Sequence, residues 1–149
     1  MTLPIATMRP GDVRAGRVRT ITLARALALS GGPFDQPGWP DRNLHTDAAA
    51  AMSAGLAGIV VSGTQWEGHV VGLLVDTLGP AWFGGGRMSV KIPRSVRIGE
   101  TVQPKLRLDA IAEEDGRTVA EFTIWCENAE GQEVLVGTAR CPVPAAENA

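Results

Sequence analysis

The chain has 149 residues, with 14 Lys+Arg against 16 Asp+Glu and a formal net charge of −2. That length can bury one real core without metal or disulfide staples, and a hydrophobic content of 44% is too high for a disordered chain. The near-neutral, slightly acidic balance argues against a nucleic-acid groove or an anionic membrane surface, both of which call for a basic patch.

In chain order, the N-terminal MTLPIATMRPGD has no basic region followed by an apolar run, so no secretory signal is read there. Val13–Arg19 reads as a short early strand. Thr22 stands where an N-cap belongs, before the helical run LARALALS, which Gly31 and Gly32 end. GGPFDQPGWP is a Gly/Pro/aromatic loop, and DRNLHTD follows it. Thr46 or Asp47 caps a short Ala-rich helix that Gly55 stops.

Ser62-Gly63-Thr64-Gln65 has the S-x-x-Q form of a capping box, ahead of a helix from Trp66 to Leu78 that Gly79 and Pro80 close. Between Val70 and Leu78 only Asp76 and Thr77 are polar, so this helix is expected to be buried on nearly every side, with a sheet around it. Gly84-Gly85-Gly86 reads as a flexible loop. Met88–Ile92, Val102–Ile111, Val119–Glu127 and Val134–Cys141 read as strands. Leu106, Leu108 and Ala110 alternate with Arg107 and Asp109, while Asp115-Gly116 and Ala129–Gly131 mark hairpin turns. Residues 142–149 are expected to fray. The sum is an α+β antiparallel meander holding one long helix, in a single domain over residues 1–149.

The two cysteines, Cys126 and Cys141, have no metal-ligand spacing, so no disulfide scaffold and no metal site are expected. The apolar stretches Gly55–Val61 and Val70–Leu78 fall short of the roughly 20 residues that span a membrane. A cytoplasmic location is expected.

The segment DRNLHTD, followed by AGL and IVVSG, resembles the MaoC-like (R)-specific enoyl-CoA hydratase family, whose signature is D-x-N-P-[IV]-H-x-D/N and a Gly at the start of the central helix. Here those positions are Asp41, Asn43, His45, Asp47 and Gly63. Gly11-Asp12, ALALSGG, MSVKIPRSVRIGETV and GRTVAEFTIWCENAEGQEVLVGTA resemble further family pieces in the same order, so the likeness covers essentially the whole chain. Three departures stand out. The Gly31–Pro40 loop intervenes before the Asp, the Pro of the signature is missing, and the His-Gly-Met heading the family's central helix is Ser62-Gly63-Thr64. The resemblance implies a hot-dog fold, a hydratase or dehydratase acting on an acyl-CoA substrate, no metal or redox cofactor, and a homodimer or higher homo-oligomer.

Adding water to an α,β-unsaturated thioester needs a base for the water, an acid for the α-carbon and stabilisation of the enolate oxygen. By resemblance, Asp41 would hold or activate water and His45 would complete proton transfer, with Asp35 in the inserted loop as the alternative acid. Asn43 reads as a loop-fixing residue, Asp47 as an N-cap, Ser62 as a cap, and Gly63 as an oxyanion donor through its N–H. A rival constellation is Glu67 with His69 on the central helix, as in hot-dog thioesterases. A non-catalytic acyl-CoA binding module is the third reading. Trp39, Trp66, Trp82 and Phe83 could line an acyl or pantetheine channel, and Arg87, Lys91, Arg94 and Arg97 could meet CoA phosphates, with a solvated strand edge as the other reading of these cations.

Overall fold

The structure is a computed structural model, and it describes residues 4–143. A 3-10 turn (Pro4–Thr7) precedes β1 (Val13–Ala15), β2 (Arg19–Thr20), α1 (Leu23–Ser30), α2 (Ala48–Ser53), α3 (Thr64–Leu78), α4 (Ala81–Gly85), β3 (Arg87–Lys91), β4 (Thr101–Glu114), β5 (Arg117–Asn128) and β6 (Glu133–Pro142). The early strand is thus two short strands, interrupted at Gly16-Arg17-Val18. All six strands form one antiparallel sheet in the order β1-β4-β5-β6-β3, with β2 also pairing β4. Asp115 and Gly116 turn β4 into β5 with positive φ at both residues (49° and 74°), the twist a two-residue hairpin needs.

One face of the sheet builds the core. Leu106 opposes Ile124, Leu108 opposes Phe122, Ala120 opposes Cys141 and Cys126 opposes Leu135, and all eight are buried. The register shifts between Leu108 and Ala110, so the apolar/polar alternation of β4 does not run through to Glu114. Onto this face α3 lays Trp66, Val70, Leu73, Leu74 and Leu78, which join the same cluster. The other face carries the polar ladder Arg107, Asp109, Thr123, with Asp109 accepting hydrogen bonds from Arg107 and Thr123.

Several expectations change. The helix buried on nearly every side is instead open along Gly68, Gly72 and Asp76, which recur every four residues on one stripe. The sheet covers one side of α3 in the single chain, and two glycines and a carboxylate leave no apolar side chain to hide on the other. The Ser62–Gln65 capping box does not form. Gly63 is the N-cap, the helix begins at Thr64, and the Ser62 hydroxyl bonds Thr64 Oγ1 at 2.9 Å. The triple-glycine loop is partly helical. Pro80 starts α4, buried Trp82 anchors it, and Gly86 donates to Trp82 O at 2.8 Å. Of the tail expected to fray, the described residues are Pro142 and Val143, where Pro142 ends β6 and Val143 N–H reaches Thr118 O at 2.9 Å. The rest of that tail lies outside the described residues.

Among the described residues, no helix is long and apolar enough to cross a membrane.

Candidate active site

The segment from Asp41 to Asp47 joins the C-terminus of α1 to the N-terminus of α2, and its own side chains shape it. Asn43 is the hub. Its Nδ2 donates to Ser30 O at 2.8 Å, satisfying an end carbonyl of α1, and its Oδ1 accepts from His45 N at 2.8 Å. A short side-chain amide can accept from the backbone two residues on, which is why Asn suits this position. Thr46 Oγ1 donates to Asp41 O at 2.5 Å and accepts from Asn43 N at 3.0 Å. Asp47 caps α2 by accepting from Ala50 N at 2.8 Å, and Arg42 grips the same carboxylate through Nε and an amino group at 3.2 Å each. The Arg42 hydrogen bond and the Ala50 N–H hold the Asp47 carboxyl below its ordinary range.

His45 is half-buried, and its Nδ1 lies 2.7 Å from Val60 O. A carbonyl oxygen only accepts, so Nδ1 carries the proton and Nε2 of the neutral ring is left as a proton acceptor. Val60 and Val61 are pinned in turn. Val60 bridges Arg97, and Val61 N donates to Val96 O at 2.9 Å. Two residues later the chain reaches Ser62 and Gly63 and enters α3. Among the described residues, the N–H groups of Gly63 and Thr64 have no hydrogen-bond partner. At the positive end of a 15-residue helix, such groups favour an oxyanion. A Cβ on Gly63 would meet Ile92 Cδ1, the movable end of an exposed side chain.

Asp41 is exposed and is braced by the inserted loop. Asp41 N donates to Gly31 O at 2.8 Å, closing the loop at its base. Gln36 Nε2 donates to Asp41 Oδ1 at 3.2 Å. Gly32 has φ +78°, and a Cβ there would stand 2.6 Å from Asp41 Oδ2, so only glycine leaves the carboxylate its slot. Trp39 Nε1 donates to Gly32 O at 3.2 Å, and its ring lies 5.2 Å from that of Phe34. No hydrogen bond or ion pair joins Asp41 to His45. They flank Asn43 in the sequence. Sequence reasoning missed Gln36, and nothing in its local pattern could have singled it out. Asp35 stands exposed in the same loop and, among the described residues, makes no ion pair.

The rival pair is split. Glu67 lies in the first turn of α3, its N–H bonded to Gly63 O at 3.1 Å, while His69 sits two positions on and faces elsewhere. Two of the aromatics proposed to line a channel are core instead, with Trp66 fully buried and Trp82 nearly so, because the α3 stripe and the α4 anchor take them inward. Phe83 is exposed, and Trp39 belongs to the inserted loop. Arg87, Lys91, Arg94 and Arg97 are all exposed, on β3 and the segment after it. Cys126 and Cys141 are free and buried, and burial raises both thiols, that of Cys126 to about 12. Neither is a nucleophile. Among the described residues, no group of three or more His, Cys, Asp or Glu side chains could hold a metal ion.

The sequence matches no family model and no curated protein. Solved structures do match over nearly the whole chain. A MaoC-like dehydratase from Rhodospirillum rubrum superposes with a TM-score of 0.75 at 22% identity, covering 95% of this chain and 97% of the other. An (R)-hydratase from A. caviae involved in PHA biosynthesis gives 0.72 at 20%, covering 93% and 98%. A chain of the ChsH1–ChsH2 complex from Mycobacterium tuberculosis gives 0.71 at 14%, covering 93% and 100%. The antiparallel sheet with α3 laid across it is therefore a hot-dog fold, of the form found in MaoC-like dehydratases and (R)-hydratases.

Proposed function

We propose that this chain is a hydratase or dehydratase of acyl-CoA thioesters, adding water to a 2-enoyl group or removing it from a 3-hydroxyacyl group. The observation that carries the reading is the placement of His45. Its Nδ1 is locked on Val60 O, its Nε2 is left as a base, and the segment it holds leads directly into the unpartnered N–H groups of Gly63 and Thr64. In the hydration direction, His45 Nε2 takes a proton from water as its oxygen attacks the β-carbon. The charge that builds on the thioester oxygen is met by Gly63 N–H, and the α-carbon then takes its proton from the His45 imidazolium, which restores the neutral ring. Asp41, held by Gln36 and Gly32, orients the water and shares the proton transfers. Asn43 positions and does not react. No resident cofactor is needed for these steps. The likeness to MaoC-like dehydratases and (R)-hydratases supports the chemistry. The likeness to a member of a two-protein complex supports assembly, read here as a homodimer, and the reading is of a cytoplasmic enzyme.

The test is a panel of trans-2-enoyl-CoA thioesters followed by loss of the conjugated absorbance, with a thiol reagent reporting free CoA. Absorbance loss without thiol release is expected, and His45→Ala and Asp41→Asn should each lower turnover by about 10²–10⁴-fold. Thiol release abolished by Glu67→Ala alone would replace the reading with a thioesterase. Ligand binding without turnover on any thioester would replace it with a binding module.

A further inference from the structure

The segment that follows β3 is fastened beside the head of α3. Ile92 Cδ1 stands where a side chain on Gly63 would begin. Val96 is fully buried, and its carbonyl accepts from Val61 N at 2.9 Å. Arg97 forms an antiparallel bridge with Val60, the residue whose carbonyl holds His45. Further on, Gly99 N donates to the carbonyl of buried Ile21 at 2.8 Å. Between these anchors Pro93 fixes its own φ. A segment tied down so closely is a firm base, and the charges it holds out to solvent are Lys91, Arg94 and Arg97. No Asp or Glu occurs between Arg87 and Gly99, in a chain whose formal net charge is −2. Among the described residues, none of the three cations takes part in a salt bridge. The next acid along the chain, Glu100, turns one carboxylate oxygen to Arg97 N at 2.8 Å. Arg87 stands apart from them. It begins β3, about 13 Å from Lys91 at the rise of an extended strand. Its cross-strand neighbour Arg140 is paired with Glu114 and opposes Glu121, so that end of the sheet mixes both signs. The rim from Lys91 to Arg97 carries one sign only, and a rim of one sign at the mouth of a site concentrates ligands of the other.

We propose that Lys91, Arg94 and Arg97 bind the phosphates of the CoA arm, and that Arg87 does not. This assignment rests on the reading of the chain as a hydratase or dehydratase of CoA thioesters, and it names the residues that select the carrier half of that substrate. With the thioester oxygen at Gly63 N–H, Val60 lies within about 11 Å of it along the chain, and Arg97 about 5 Å across from Val60. An extended pantetheine arm covers that distance and delivers its phosphates to the rim. Guanidinium forks match pairs of phosphate oxygens, and Lys91 adds a compact charge beside them. The phosphates are remote from the reacting carbons and are bound equally before and during water addition. The rim therefore acts on KM and leaves kcat in place.

Two thioesters of the same enoyl group separate the rim from the chemistry. A trans-2-enoyl-CoA carries the phosphates, and the matching enoyl-pantetheine has none. Arg94→Gln and Arg97→Gln should each raise KM for the CoA thioester about fivefold without changing kcat, and should leave kcat/KM for the pantetheine thioester within about twofold of the parent. Added sodium chloride should shrink the parent's preference for the CoA thioester and have little effect on the pantetheine thioester. Arg87→Gln should change neither substrate. Calorimetric titration with free CoA reads the same site without turnover, and both variants should loosen it about fivefold. Unchanged CoA affinity in an Arg94→Gln, Arg97→Gln double variant would overturn the proposal and leave a merely solvated edge. An equal loss on both thioesters, or an equal effect of Arg87→Gln, would overturn it as well. If neither thioester is turned over, the hydration reading fails by itself, and the CoA titrations still decide the phosphate site.

Discussion

Asn43→Ala tests the scaffold of the site most directly. The wild-type amide makes two short hydrogen bonds, to Ser30 O and from His45 N, both at 2.8 Å, and a longer one to Asp41 O at 3.4 Å. A net contribution of about 1 kcal/mol for each short bond gives about 2 kcal/mol lost in the variant, a little less where water reaches the freed carbonyl. For a domain of this size that is a fall in Tm of about 4–8 °C. Turnover should drop further than stability alone explains. The His45 backbone loses its anchor, and a displacement of about 1 Å can cost 10²-fold in rate. Asn43→Asp keeps an acceptor for His45 N–H and loses the donor to Ser30 O. It should retain more turnover than Asn43→Ala while being about 1 kcal/mol or more less stable than the parent. The assay is urea unfolding with the same m-value across the series, paired with enoyl-CoA hydration. If Asn43→Ala unfolds within about 0.5 kcal/mol of the parent, or Asn43→Asp is as stable as the parent, the loop is not held in this way.

Two further perturbations bear on α3. Gly63→Ala places a methyl group against Ile92 Cδ1, the end of an exposed side chain that can rotate aside, and should cost less than about 1 kcal/mol in urea unfolding. Because Ile92 is 45% exposed, Ile92→Ala should relieve most of that loss in the double variant, and strictly additive losses would show that the contact is absent. His69 has a folded-state proton affinity below that of the unfolded chain, so the unfolded chain binds its proton first as pH falls. The stability this ring contributes is complete above about pH 6.5 and declines below it. Thermal melts from pH 7.5 to 5 should therefore fall less steeply in His69→Gln than in the parent, and parallel curves would contradict the assignment.

How much of this was legible in the residues depends on the reach of each interaction. Thr22 and Asp47 were readable as caps because a cap bonds a backbone N–H three residues away, and Arg25 N and Ala50 N are those donors. Asp115-Gly116 was readable as a turn because its two left-handed residues are a local demand. The strands of the β4–β5–β6 meander showed in their alternation, and the family resemblance drew the Asp41–Asp47 loop together before any contact was known. The S-x-x-Q pattern ahead of α3 does not form its capping box, because Gly63 takes the N-cap position and the Ser62 hydroxyl bonds Thr64 Oγ1 instead. Burial also decided that Trp82 would turn a run of glycines into a helix, and that a nearly all-apolar α3 would keep an open stripe at Gly68, Gly72 and Asp76.

The chain by itself thus determined where helices and strands begin, through caps, turns and periodicities that act within about four residues. Tertiary structure alone decided which nitrogen of His45 is free, since that follows from Val60 O, 15 residues away. It decided that the inserted loop grips Asp41 through Gln36 and the slot at Gly32. These are contacts between segments, and no local pattern encodes them because each depends on how the whole sheet and its helices close on one another.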